Sequence, residues 1–128
     1  MLRAAVLLLA LVACDKDKKI DQLEPTSWCA DELRTVVVPQ LEKTWDGGDP
    51  TAFHTATVKF TQGTMCGPDF AAAVRDWEAT LAEKDAAKAV AARKQILVRI
   101  DDVMKTAGTE YDWKLEREAL APLFARAK

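Results

Sequence analysis

Cysteines stand at positions 14, 29 and 66, the one histidine at 54, and internal methionines at 65 and 104. Three cysteines and one histidine exclude most cysteine-histidine metal modules by count. Haem attachment calls for Cys-x-x-Cys-His, which does not occur, or for a Met and a His at one end of a bundle. His54 and Met65 fall on or next to one predicted helix, roughly 16 Å apart at 1.5 Å per residue, too far to share an iron. A soft Cu(I) site from Met65, Met104 and a reduced cysteine matches thioether and thiolate preference. Methionine more often fills gaps in a core, so no metal ligand and no cofactor is assigned.

The acidic residues are no better placed for catalysis. Asp46-Gly47-Gly48-Asp49 fails the EF-hand pattern, because the twelfth position counted from Asp46 is Thr57 where a bidentate glutamate is needed. Asp101 and Asp102 are adjacent on a helix, so their side chains diverge. There is no phosphate-cradling glycine loop and no Gly-x-Ser-x-Gly. Without a second histidine or a carboxylate pair, no catalytic residue is assigned and an enzyme is not expected. Trp28, Trp45, Trp77 and Trp113 fall on or beside apolar stripes, which makes core packing their expected role. Any one left at a bundle end would serve to dock a partner.

The elements that must hold these residues are helical throughout. From residue 26 the apolar spacing has a helical period. A first helix starts at Thr26 or Ser27, either of which can cap its amides. It carries Cys29, Leu33, Val36, Val37, Leu41 and Trp45 on one face, with a kink or break at Pro39 and a stop at Gly47-Gly48. Asp49-Pro50 reads as an N-cap followed by a first-turn proline, opening a helix with Phe53, Ala56, Thr57 and Phe60 inward and Gly63 at its end. A third helix begins at Pro68 with Phe70, Val74, Trp77 and Leu81. A turn at Lys84-Asp85, with Asp85 as cap, leads to a fourth bearing Val90, Ile96, Leu97, Ile100, Val103 and Met104. Gly108 closes it. Thr109 to Asp112 fits a capping box for a fifth helix with Trp113, Leu120, Leu123 and Phe124, fraying at Pro122. Short connections force neighbours antiparallel. The expected fold is therefore all-α, a small up-down antiparallel helical bundle of four to five helices, with the fifth packed across it.

The start of the chain reads as an address. Arg3 is followed by nine apolar residues, Ala4 to Val12, far fewer than the roughly 20 that span a bilayer. A positive start and a short apolar stretch make a secretory signal. The stretch ends at Leu11-Val12-Ala13-Cys14, which resembles the lipobox of bacterial lipoproteins. That resemblance covers residues 1–14. It implies that 1–13 is a cleaved signal peptide and that Cys14 becomes a lipidated N-terminus, with more than one acyl chain as stable anchoring requires. It further implies a place at the cell membrane on the periplasmic side. Asp15 resembles the inner-membrane retention signal of enteric bacteria and leans the assignment toward that membrane. Residues 14–25 are mostly charged with mixed sign and read as a lipidated tether reaching roughly 15–20 Å. Residues 26–128 form the bundle domain.

The topology sets Cys29, at the start of the first helix, and Cys66, after the second, at one end of the bundle. Export places them in an oxidising compartment and lipidation occupies Cys14, so a Cys29–Cys66 disulfide is expected. Loop closure over that span gives roughly 3–4 kcal/mol. With 18 basic and 20 acidic residues, the chain lacks the basic excess of a nucleic-acid binder. The expected function is a protein-interaction or adaptor module of the cell envelope, partnered with the membrane through its lipid and with a protein through its bundle. Secretion pilotins are similar in overall plan, by architecture alone. The alternative is a carrier bundle for a small ligand, haem or copper.

Overall fold

The computed structural model describes residues 27–63, 65–106 and 111–128. The signal segment, Cys14, the tether, Gly108 and Thr109 lie outside the described residues. Five helices follow one another with no strand among the described residues, and the bundle is all-α as expected.

Helix α1 (28–43) opens on Ser27, whose Oγ accepts from the Ala30 N–H at 3.2 Å. It runs as α-helix over Trp28–Glu32, as a π turn over Leu33–Val37, and as α-helix again over Val38–Lys43. The π turn lies immediately ahead of Pro39, where a kink or break was expected. A proline has no N–H for the carbonyl four residues back, and its ring crowds that carbonyl. Widening the preceding turn, with Val38 N–H reaching back to the Leu33 carbonyl, carries the chain past the exposed Pro39 without a break. The helix ends at Lys43, two residues before Trp45, so Trp45 is buried from a turn and not from the helix. Gly47 then takes φ 129°, a conformation that glycine enters without steric cost.

Helix α2 (Pro50–Gln62) begins on Asp49, whose Oδ1 accepts from the Thr51 N–H at 3.0 Å, and ends at Gly63. Phe53, Thr57 and Phe60 face inward, whereas Ala56, expected on that stripe, is exposed. The Thr57 hydroxyl donates to the Phe53 carbonyl at 2.9 Å, which satisfies it in the core. Helix α3 (Pro68–Thr80) buries Phe70, Ala73, Val74 and Trp77. Helix α4 (Ala86–Thr106) is capped by Asp85, whose Oδ1 accepts from the Ala87 and Lys88 amides at 3.0 and 3.2 Å.

Helix α5 (Lys114–Ala127) departs from expectation at both ends. It starts at Lys114, with Asp112 Oδ1 accepting from the Lys114 N–H at 3.0 Å and Trp113 flanking the helix. Pro122 does not end it; the proline and Glu118, the residue four back whose carbonyl it cannot pair, both lie on the exposed side. The helix continues for another turn and buries Leu123 completely.

Each helix packs on its neighbour in the chain, and α5 packs back on all three parts of α1. Ser27 meets Glu116 at one end and Asp46 meets Arg126 at the other, so α5 runs alongside α1 in the same direction and not across the bundle. Trp77, fully buried, sits in a core with Leu33, Leu97, Leu120 and Leu123. Helices α1, α3 and α5 therefore begin at one end of the bundle, where α2 and α4 finish.

Candidate functional site

The end at which three helices begin is built around the cysteines. Cys29, in the first turn of α1, and Cys66, between α2 and α3, have Cα atoms 4.9 Å apart and sulfurs at a disulfide distance of 2.07 Å. Antiparallel α1 and α2 bring them together. The pair closes a loop of 37 residues and ties the entry of α1 to the exit of α2.

Beside it lies Glu116, in the first turn of α5 and 0% exposed. Its Oε2 accepts from the Ser27 hydroxyl at 2.6 Å and from the Tyr111 hydroxyl at 2.8 Å. Its Oε1 is buried and has no hydrogen-bond partner among the described residues. No salt bridge from the described residues reaches it, which is unusual for a carboxylate taken out of water. The starts of α1 and α5 bring the positive ends of two helix dipoles toward it, and this is the favourable place for a buried negative charge. The Tyr111 phenol is held above its usual range. The Ser27 hydroxyl draws it down, but burial, the bond to Glu116 and the charges of Glu116 and Asp112 outweigh that pull.

A cavity of about 540 Å³ opens at this end, lined by Ser27, Trp28, Met65, Tyr111, Trp113 and the Cys29–Cys66 pair. A second, of about 360 Å³, shares Trp28 and Met65 and continues along Phe60 and Lys59. Tyr111 meets Trp113 edge-on at 4.6 Å between centroids, and Trp113 stacks on Phe70 at 5.6 Å. Trp28 stands between the two cavities and is 78% exposed. Core packing, the expected role of all four tryptophans, therefore fails at position 28. It precedes the inward Cys29 by about 100° around the helix, off the stripe of Leu33 and Val37. Trp45 and Trp77 are buried and Trp113 half-buried.

The opposite end is organised by Arg93, a guanidinium only 2% exposed. It donates to Thr80 Oγ1 at 2.9 Å, to the Thr80 carbonyl at 3.2 Å and to the Trp45 carbonyl at 2.6 Å. Thr80 in turn donates to the Trp77 carbonyl, and Trp77 Nε1 donates to Thr44 Oγ1 at 2.9 Å. Burial pulls Arg93 below its ordinary range, and the charge of Asp46 opposes that pull.

The remaining chemistry-bearing residues have other roles. His54 is exposed on α2 with Nδ1 2.9 Å from Glu78 Oε1. Met104 is buried in the core while Met65 is 47% exposed, and the two line different cavities. Asp46 pairs with Arg126, and Asp49 caps α2. Asp101 is bridged by Lys105 and Arg117 at 2.9 and 2.7 Å, and its carboxyl is held below the usual range by those hydrogen bonds. No three His, Cys, Asp or Glu side chains converge among the described residues, and no described helix is long and apolar enough to cross a membrane.

Sequence reasoning passed over Glu116 and Arg93. The signal was present: Glu116 shares its spacing with Ala119, Leu120 and Leu123, and Arg93 shares its with Ala89, Ile96, Leu97 and Ile100. A lone charge on an apolar stripe marks a buried polar group. No protein-family model, curated protein or solved structure matches this chain.

Proposed function

We propose that the chain is a membrane-anchored bacterial lipoprotein, held at the periplasmic face through Cys14, whose helical domain is an adaptor that docks a protein partner at its disulfide end. The anchoring half of this reading rests on Leu11-Val12-Ala13-Cys14 behind a short apolar run. The docking half is carried by one observation: a tryptophan 78% exposed on the first residue of α1, beside the half-exposed Met65 and Tyr111. Aromatic and methionine side chains are the types enriched in the cores of protein interfaces. The disulfide holds two of the segments that present this surface in fixed relation. That Trp28 directly follows the segment read as a tether supports a docking end turned toward the membrane.

Two measurements test it. Labelled palmitate should enter the full chain and fail to enter Cys14→Ser. A photo-crosslinking residue at position 28 should give a discrete adduct in intact membranes, whereas one at the exposed Val98 should not. Equal adducts at both positions, or none at 28, would reject docking at this end.

A further inference from the structure

We propose that the cavity at the disulfide end binds an alkylammonium group, the cationic end of an amine. The proposal rests on the reading of this end as the binding end and supplies the chemistry it would recognise. Two hydroxyls line the cavity, and both spend their protons on one oxygen: Ser27 Oγ–H and Tyr111 Oη–H point to Glu116 Oε2. What they can offer a ligand is lone pairs, chiefly those of Tyr111, because Ser27 Oγ already accepts from the Ala30 N–H and lies 3.5 Å from Tyr111 Oη. A hydroxyl whose proton is committed to a carboxylate is a polarised acceptor, suited to a charged N–H donor.

The charge around the cavity has the matching sign. Among the described residues no lysine or arginine lines it, Lys59 lying on the adjoining cavity, while Glu116 stands behind the two hydroxyls with Oε1 buried and without a hydrogen-bond partner among those residues. The charge of Asp112 also bears on Tyr111. Three helix starts bring roughly half a positive charge each, which leaves the two carboxylates in excess. An anion would meet that excess with both hydroxyl protons already engaged. Trp28 and Tyr111 add aromatic rings to the wall, and a cation over such a ring gains further attraction. At about 540 Å³ the space is within the range of small-molecule sites.

The test titrates the full chain with n-butylammonium and, as its neutral counterpart, 1-butanol, following tryptophan fluorescence and heat. The amine should bind at least tenfold more tightly. Tyr111→Phe should weaken it about tenfold by removing one acceptor, and Trp28→Ala about threefold. Glu116→Gln should abolish the preference for the amine over the alcohol. Because Glu116 is buried and acts only through the two hydroxyls, the half-exposed Tyr111, which lines the cavity itself, carries the decision. Two arms separate the sources of the group. Tighter binding of a lysine blocked at both termini assigns it to a partner's side chain, and equal binding of n-butylammonium assigns it to a free amine. Equal binding of 1-butanol, or an unchanged Tyr111→Phe, overturns the proposal. So does binding confined to vesicles with ethanolamine headgroups. Membrane crosslinking at position 28 is measured separately, so loss of amine affinity and loss of the docking reading are distinguishable.

Discussion

Two charges are buried in this bundle, one at each end, and they are treated differently. Arg93 lies where α1 and α3 finish and gives its protons to carbonyls and a hydroxyl at those C-terminal ends. Glu116 lies where α1 and α5 begin and takes two hydroxyl protons on one oxygen while the other has no partner. Each sign suits the helix ends beside it. The difference is whether every polar atom has a partner: each nitrogen of Arg93 has one, and Glu116 Oε1 has none among the described residues. Hydrogen bonds from Arg93 join α1, α3 and α4 into a closed polar unit, with Trp77 and Thr44 continuing the chain of bonds. The Glu116 end stops short of closure, under an aromatic-lined opening and an exposed tryptophan. A buried charge whose polar atoms are all partnered stabilises a fold; Glu116, partnered on one oxygen only, instead polarises the two hydroxyls that line the cavity.

The contrast can be tested by breaking each end in turn. The largest effect is expected from the disulfide, because Cys29→Ser with Cys66→Ser frees a 37-residue loop. Chemical denaturation should show a loss of about 4 kcal/mol. Next is Arg93→Met, which keeps the volume but strips donors from the Trp45 and Thr80 carbonyls; about 3 kcal/mol should be lost in the same assay. Smaller still is Glu116→Gln, about 1 kcal/mol, since one acceptor oxygen remains for the two hydroxyls. If Glu116→Gln proved as damaging as Arg93→Met, the two ends would not differ as described. Trp28→Ala should move stability by less than about 0.5 kcal/mol, its ring being in solvent.

Proton linkage sharpens the same comparison. Tyr111 is raised in the folded chain, so its contribution is complete below the ordinary tyrosine range near 10. It is lost as pH rises through the folded value, and denaturation midpoints should fall there. Tyr111→Phe should remove that limb. Asp101 is lowered by Lys105 and Arg117, so its contribution is present above about 4 and lost as pH falls through its folded value. Asp101→Asn should flatten the acid limb.

Much of the fold was legible because helix boundaries have local causes. Asp49-Pro50, Asp85 and Pro68 each mark a helix start, and the antiparallel order set Cys29 beside Cys66. The misreadings share a different cause. Pro39 read as a kink or break and Pro122 as a fraying end; the first is met by a π turn just ahead of it and the second lies inside a helix that runs on to Ala127. Trp28 read as core because apolar character says nothing about angular position at a helix's first residue. Glu116 and Arg93 were passed over because charge ordinarily implies exposure, although buried residues lie three and four positions from each, Ala119 and Leu120 for the first and Ala89, Ile96 and Leu97 for the second. The candidate site was thus legible in its cysteines and illegible in its carboxylate.

Five rods laid alternately up and down have an odd count, and that decides where the polypeptide enters and leaves. Ser27 and Lys128 lie at opposite poles, separated by about the 20 Å length of α5. Any label or fusion joined at Lys128 is consequently carried away from Trp28 and leaves the aromatic pole unobstructed. With an even count, entry and exit would crowd together, and such a handle would sit beside the surface it was meant to report on.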